Sequence, residues 1–174
     1  MTKEVPKEEF KKRVYDLQKK MAEKNIDVIV CFGHESEPQY VRYFSNYWPA
    51  FESAGVLIPK KGQAILLIGP ETEKLAKLWS RLERYEKLLD FRESAQPEYP
   101  GVELTTFESL LIKLNNTIDI KRIGIVGSNI IYLDVYNSIK SAANSIKAQL
   151  IKSDDLVLEM REKKSNIEIE ILRN

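Results

Sequence analysis

The chain has 174 residues, 43% hydrophobic and 30% charged, and its 27 Lys plus Arg against 26 Asp plus Glu leave a net charge of +1. With a mean hydropathy of -0.34, it reads as one ordinary globular domain, able to bury roughly 70% of its unfolded surface. The balanced charge excludes the basic excess of a nucleic-acid binder, and no apolar run approaches the ~20 residues that span a bilayer. The start, Met1-Thr2-Lys3-Glu4-Val5-Pro6-Lys7, lacks an apolar secretory core. A single cysteine allows no intramolecular disulfide and fits a reducing cytoplasm. The basic clusters Lys11-Lys12-Arg13, Lys60-Lys61 and Lys163-Lys164 are each diluted by nearby acids and read as solvated faces.

Residues 7–24 are predicted as an amphipathic helix, because Phe10, Val14, Leu17 and Met21 recur at helical spacing. Glu8–Lys12, Glu9–Arg13 and Asp16–Lys20 supply i,i+4 pairs with the acid first, and Pro6 suits the first turn. The run Val28-Ile29-Val30-Cys31-Phe32 does not alternate, the pattern of a strand covered on both faces, and Gly33 is expected to end it. A short helix is expected at 38–44, then an irregular loop through Trp48-Pro49. Val56-Leu57-Ile58 and Ala64-Ile65-Leu66-Leu67-Ile68, separated by five turn-prone residues, predict an antiparallel hairpin. A helix over 71–82 is expected to bury Leu75, Leu78, Trp79 and Leu82. Whether 82–91, and Lys87-Leu88-Leu89-Asp90-Phe91 in particular, is helix or strand stays open, since periodicity alone does not separate the two.

Residues 92–103, with Pro97, Pro100 and Gly101, read as a loop. Thr105 and Glu108 stand at capping-box spacing for a helix to about Asn115. Ile123-Gly124-Ile125-Val126 predicts a second buried strand, 130–145 a helix, and Ala148-Gln149-Leu150-Ile151 an edge-like strand. Asp154 to Lys164 predicts a charged helix with Leu156, Val157 and Met160 inward. Ser165 and Glu168 repeat the capping-box pattern, so a new helix starts at residue 166 and carries Ile167, Ile171 and Leu172. A freshly capped helix that stops after little more than two turns suggests a chain cut short, since so short a helix needs something to pack on.

The motifs give no self-contained active site. His34 is the only histidine and has no second ligand at metal spacing; a lone loop histidine is more often a surface or hydrogen-bonding residue. Cys31 precedes it by three residues but lies in an apolar strand, where thiols are inert small hydrophobes. Gly124-Ile125-Val126-Gly127-Ser128-Asn129 imitates a phosphate loop without its glycine spacing or its GK[ST] ending, so Ser128 or Asn129 is expected to cap the following helix. Carboxylates mostly pair with Lys or Arg on helix faces, and no G-x-S-x-G accompanies the histidine. Segment 34–54 is the best candidate for contact with a ligand or partner. There Arg42 offers a fork for carboxylates, and Tyr40, Tyr43, Tyr47 and Trp48 offer aromatic surface; the alternative is that Tyr43 and Phe44 are helix-to-sheet packing.

In order and spacing, these features resemble the N-terminal domain of the creatinase, prolidase and aminopeptidase P group, the pita-bread metallopeptidases, over roughly residues 8–174. The opening helix and Asp27-Val28-Ile29-Val30 are similar to the family's first helix and strand. Val41-Arg42-Tyr43-Phe44-Ser45 resembles its N-x-x-Y-L-T-G stretch, with Ser45-Asn46 in place of Thr-Gly, and Val56 to Gly62 resembles its hairpin. Arg161 to Ser165, with Glu168-Ile169 and Leu172-Arg173, resembles its R-x-x-K-S-x-x-E-I-x-x-[LM]-R linker, with Asn166-Ile167 where Pro-Glu is common.

The resemblance implies a three-layer α/β/α fold with a mixed, mostly parallel sheet and a ribonuclease H-like motif. It divides the chain into a domain at 1–153 and, at 154–174, a linker helix with the start of a catalytic domain. It implies a non-catalytic part of a cytoplasmic, homodimeric Xaa-Pro peptidase of the aminopeptidase P or prolidase type, one that restricts access to the active site. His34, Arg42, Tyr43 and Trp48 are then the expected rim residues. Two divalent metals (manganese, cobalt or zinc) on Asp, Asp, His, Glu and Glu would belong to the downstream catalytic domain, with no cofactor in residues 1–174. The peptide substrate would be met through that domain, with neither nucleic acid nor membrane as partner. The alternatives are a protein-interaction module and the N-terminal domain of a creatinase-like small-molecule hydrolase.

Overall fold

The apolar run beginning at Val28 becomes a central strand of a six-stranded sheet in the computed structural model, which describes residues 4–93 and 98–173. The strands are β1 (Val28–His34), β2 (Ser53–Pro59), β3 (Ile65–Ile68), β4 (Arg84–Lys87), β5 (Arg122–Val126) and β6 (Gln149–Lys152). Their order across the sheet is β4-β3-β2-β1-β5-β6. β1–β2 and β2–β3 are antiparallel, whereas β3–β4, β1–β5 and β5–β6 are parallel. The sheet is therefore mixed, with the expected hairpin at its middle.

Helices cover both faces because the strand residues alternate between two apolar cores. Ile29, Cys31, Val56, Ile58 and Leu66 face α1 (Lys7–Glu23), α2 (Gln39–Ser45), α3 (Glu73–Trp79) and α6 (Asp154–Glu162), whose Leu17, Phe44, Ala76 and Val157 complete that core. Val28, Val30, Phe32, Leu57 and Ile123 face α4 (Phe107–Asn115) and α5 (Leu133–Ser145), with Leu111 and Ile139 opposite. A final helix, α7 (Asn166–Leu172), opens with the expected capping box between Ser165 and Glu168.

Several sequence expectations need correction. Gly33 does not end β1, since the ladder with β2 continues through Gly33–Ala54 and His34–Ser53. The 71–82 helix is shorter: the Arg81 N–H donates to the Ser45 carbonyl at 2.7 Å and the chain turns into β4. That helix buries Ala76, leaving Leu75 half-buried and Leu78 70% exposed, because the leucine stripe lies away from the sheet. Segment 82–91 is strand β4 followed by a 3-10 turn at Leu89–Phe91. The cap of α4 is Thr106, which accepts from the Ser109 N–H at 3.1 Å, while Thr105 extends the sheet by bridging Leu88.

Neither Ser128 nor Asn129 caps α5, whose N-cap position is Tyr132. On α1, the Glu9–Arg13 pair is present at 3.4 Å, but Lys12 pairs with Asp16 at 2.7 Å and Lys20 crosses to Glu159 on α6 at 2.8 Å. Of the loop expected at 92–103, residues 94–97 lie outside the described residues, as do Met1–Lys3 of the chain start and Asn174.

Candidate functional site

The parallel strands β1, β5 and β6, with β3 and β4, end at one edge of the sheet, where β2 begins. Loops at the carboxyl ends of strands are where open α/β sheets place ligands. His34 sits there as the last residue of β1. Its imidazole stacks on Tyr132 with ring centroids 5.7 Å apart and planes 8° from parallel, and Phe32 packs edge-on to both rings. A tight turn follows, with the Glu37 N–H donating to the His34 carbonyl at 3.0 Å.

Trp48 joins this turn to α2. Its indole N–H donates to the Glu35 carbonyl at 3.0 Å, and the Arg42 guanidinium lies 5.0 Å above its ring. Arg42 and Trp48 are both exposed, so the cation sits on an aromatic face at the rim of the loops. Tyr43, one residue on, points elsewhere. Its ring lies under the Arg13 guanidinium at 4.4 Å, and its hydroxyl donates to the Met160 carbonyl at 3.4 Å. The structure thus brings Arg42 and Trp48 together beside the turn that follows His34, and places Tyr43 where α1, α2 and α6 meet.

Three buried polar groups around these loops escaped the sequence reading. Glu52, just before β2, accepts a hydrogen bond from the Tyr47 hydroxyl, and its other oxygen, Oε2, has no partner. Burial, reinforced by Glu71 and Glu93, pushes its carboxyl up to about 7 despite the Tyr47 and Thr72 hydroxyls. Burial likewise drives the Tyr47 phenol well upward. Nothing in sequence separates Glu52 from the exposed glutamates around it.

Arg13 is buried, donating to the Tyr43 carbonyl at 2.9 Å and reaching Glu168 on α7 at 3.2 Å. Its place on the Phe10–Leu17 stripe was a legible sign of that burial. Asp154 accepts from the Gly127 and Ser128 N–H groups at 2.8 and 3.0 Å and from the Ser128 hydroxyl at 2.6 Å. The imitation phosphate loop therefore spends its donors on the protein's own carboxylate. Gly127 is required in that turn, with φ of 87°, where a Cβ would lie 2.8 Å from the Phe32 carbonyl oxygen.

Cys31 and His34 form no pair, since strand residues three apart face opposite sides; Cys31 is fully buried and burial raises its thiol far above the usual range. Among the described residues no group of three or more His, Cys, Asp and Glu side chains is arranged to hold a metal ion, so these residues do not fit a two-metal centre. Nor is any helix among them long and apolar enough to cross a membrane.

The family model described as the Creatinase/Prolidase N-terminal domain matches residues 13–163. No curated protein matches in sequence. Among solved structures, the prolidase from Pyrococcus horikoshii OT3 superposes with a TM-score of 0.62 at 23% identity, over 91% of this chain and 37% of that one. The X-Pro aminopeptidase from Thermotoga maritima MSB8 gives a TM-score of 0.65 at 24% identity, covering 91% and 38%. The N-terminal domain of the cytoplasmic peptidase PepQ from Mycobacterium tuberculosis H37Rv gives 0.63 at 13% identity, covering 86% and 98%. These identities establish a shared fold, and the chain spans well under half of the first two relatives.

Proposed function

The chain belongs to the creatinase/prolidase N-terminal domain family, and from that premise we propose that it is the accessory domain of a cytoplasmic, metal-dependent Xaa-Pro peptidase. In this reading it supports a homodimer and narrows access to an active site carried elsewhere. The observation that carries the reading is the correspondence of nine-tenths of the chain with little more than a third of a prolidase and of an X-Pro aminopeptidase. The antiparallel β1-β2-β3 meander, extended by the parallel β5 and β6, supports a ribonuclease H-like description of the fold.

The proposed rim is formed by His34, Arg42 and Trp48, with Tyr43 fixing the helix that presents Arg42. An exposed guanidinium on an indole suits the carboxylate end of a short peptide, because Arg binds carboxylates through two parallel N–H donors. Metal ions, held by the downstream domain, would supply the nucleophilic hydroxide.

The test is steady-state hydrolysis of Xaa-Pro dipeptides by the protein that carries this domain, comparing Arg42→Ala and Trp48→Ala with the parent. The expected result is a several-fold rise in KM with the melting temperature held. Unchanged kinetics in both variants would remove these residues from the rim.

A further inference from the structure

Between α2 and β2 the chain makes a short connection, residues 46–52, with left-handed backbone near both ends: φ is 62° at Asn46 and 68° at Phe51. Asn tolerates that region; a bulky aromatic does so only when its neighbours enforce it. The Phe51 side chain is 73% exposed and supplies no packing to enforce anything. What holds this end of the connection is the next residue. Glu52 is 8% exposed, its Oε1 takes the Tyr47 hydroxyl hydrogen bond, and Tyr47 is itself fully buried with its ring against Trp79. The carboxyl and the phenol therefore close residues 47–52 into a ring.

The surroundings of that carboxyl suit an acid better than its anion. The polar group from α3 is the N-cap residue Thr72, whose hydroxyl also lies 3.4 Å from the Gly69 carbonyl. Among the described residues, the charged groups with the largest influence on it are Glu71, just before α3, and Glu93, after the 3-10 turn, and both are acids. The remaining oxygen, Oε2, is buried with no partner. A carboxylate placed there is a buried charge opposed by like charges, and a group in that position relaxes by protonating or by leaving.

We infer that residues 46–52 are fastened by a proton-dependent latch at Glu52: the loop is docked while the carboxyl is protonated and released when it ionises. The proton sits on Oε2 in the docked state, with Oε1 free to accept from Tyr47. On ionisation it passes to water, the carboxylate moves outward toward solvent, and Phe51 is freed from its left-handed backbone. The rise of the Glu52 carboxyl to about 7 puts this exchange near neutral pH. Trp48 rides on the same loop, so release also breaks its bond to the Glu35 carbonyl. The latch stands independently of the proposed rim.

Trp48 reports on the loop directly. The chain has 2 tryptophans, so a Trp79→Phe background leaves Trp48 as the sole indole, and its emission is followed from about pH 5 to about pH 9. A single transition near neutrality is expected, absent in Glu52→Gln and displaced to lower pH in Tyr47→Phe, which loses a hydrogen bond made only in the docked state. His34→Gln should leave the transition in place. A flat trace, a transition that survives Glu52→Gln, or one abolished by His34→Gln overturns the latch.

Should Glu52→Gln not fold, carbon-13 NMR of the unmutated chain decides. One Glu carboxyl must titrate near neutrality, and a set that all titrates below about 5.5 overturns the inference. Failure of the rim reading shows instead as unchanged KM in the Arg42 and Trp48 variants, an independent readout.

Discussion

Asp27 sits just before β1, where one carboxylate ties together the starts of two strands and the end of a third. Its Oδ1 meets the Lys60 ammonium at 2.6 Å, past the end of β2, and its Oδ2 accepts the Lys121 and Arg122 N–H groups at 2.8 and 3.0 Å, at the start of β5. Burial alone would raise the carboxyl, but the Lys60 bond and the two backbone donors outweigh it and hold it below the usual range. A lowered carboxyl gives stability that is present above its unfolded value and lost as pH falls through its folded one. Asp27→Ala is therefore expected to cost about 1–3 kcal/mol at neutral pH, measured by urea denaturation, with the deficit shrinking in acid. An equal deficit at low and neutral pH would assign the loss to packing.

Glu52 has the opposite sign, its contribution being greatest in acid and fading as pH rises toward 7. Neither role was legible in sequence. Asp27 and Glu52 look like any other of the chain's carboxylates until the topology buries them.

At the scale of elements, α7 shows how a short helix is given a fixed direction. Glu168 divides its two oxygens: Oε2 accepts the Ser165 N–H at 2.8 Å to complete the capping box, and Oε1 receives Arg13 from α1 at 3.2 Å. Arg13 in turn lies over Tyr43 of α2, so three helices are registered through one guanidinium. Glu168→Ala is expected to remove both functions, costing α7 about 1 kcal/mol and raising amide exchange across 166–172 while the sheet stays protected. Glu168→Gln keeps a capping side chain and should lose only the charge pair, leaving intermediate protection. Equal exchange in the two variants would contradict this division.

The capping box itself was readable from Ser165 and Glu168, as were α1, β1 and the hairpin, because each is coded by local spacing. β4 was not. Arg84-Tyr85-Glu86-Lys87 is a polar strand at the sheet margin, half-buried throughout, and carries no apolar pattern to announce it. The α3 boundary failed for a related reason, since a stripe of leucines marks a helix but not which side the sheet will take.

For the whole molecule, the three-layer arrangement was implied by the family resemblance, and the two unalternating apolar runs, β1 and β5, agreed with it because they need cover on both faces. What sequence could not supply was the order in which the remaining strands join them, and hence which loops share an edge. His34, Arg42 and Trp48 were singled out because they fall in one aromatic segment; that Arg42 would lie on Trp48 depended on how α2 seats against the sheet. Tyr43 was singled out with them and stands at a helix junction instead, as helical geometry turns consecutive residues about 100° apart.

The proposed role is to accompany Xaa-Pro hydrolysis, not to perform it. It is tested most directly by assaying manganese-supplemented Xaa-Pro dipeptide hydrolysis on the 174-residue chain alone and on the product of the complete reading frame that encodes it. No turnover from the chain and metal-dependent turnover from the complete product are expected. Hydrolysis by the chain alone, or none by the complete product, would contradict the claim.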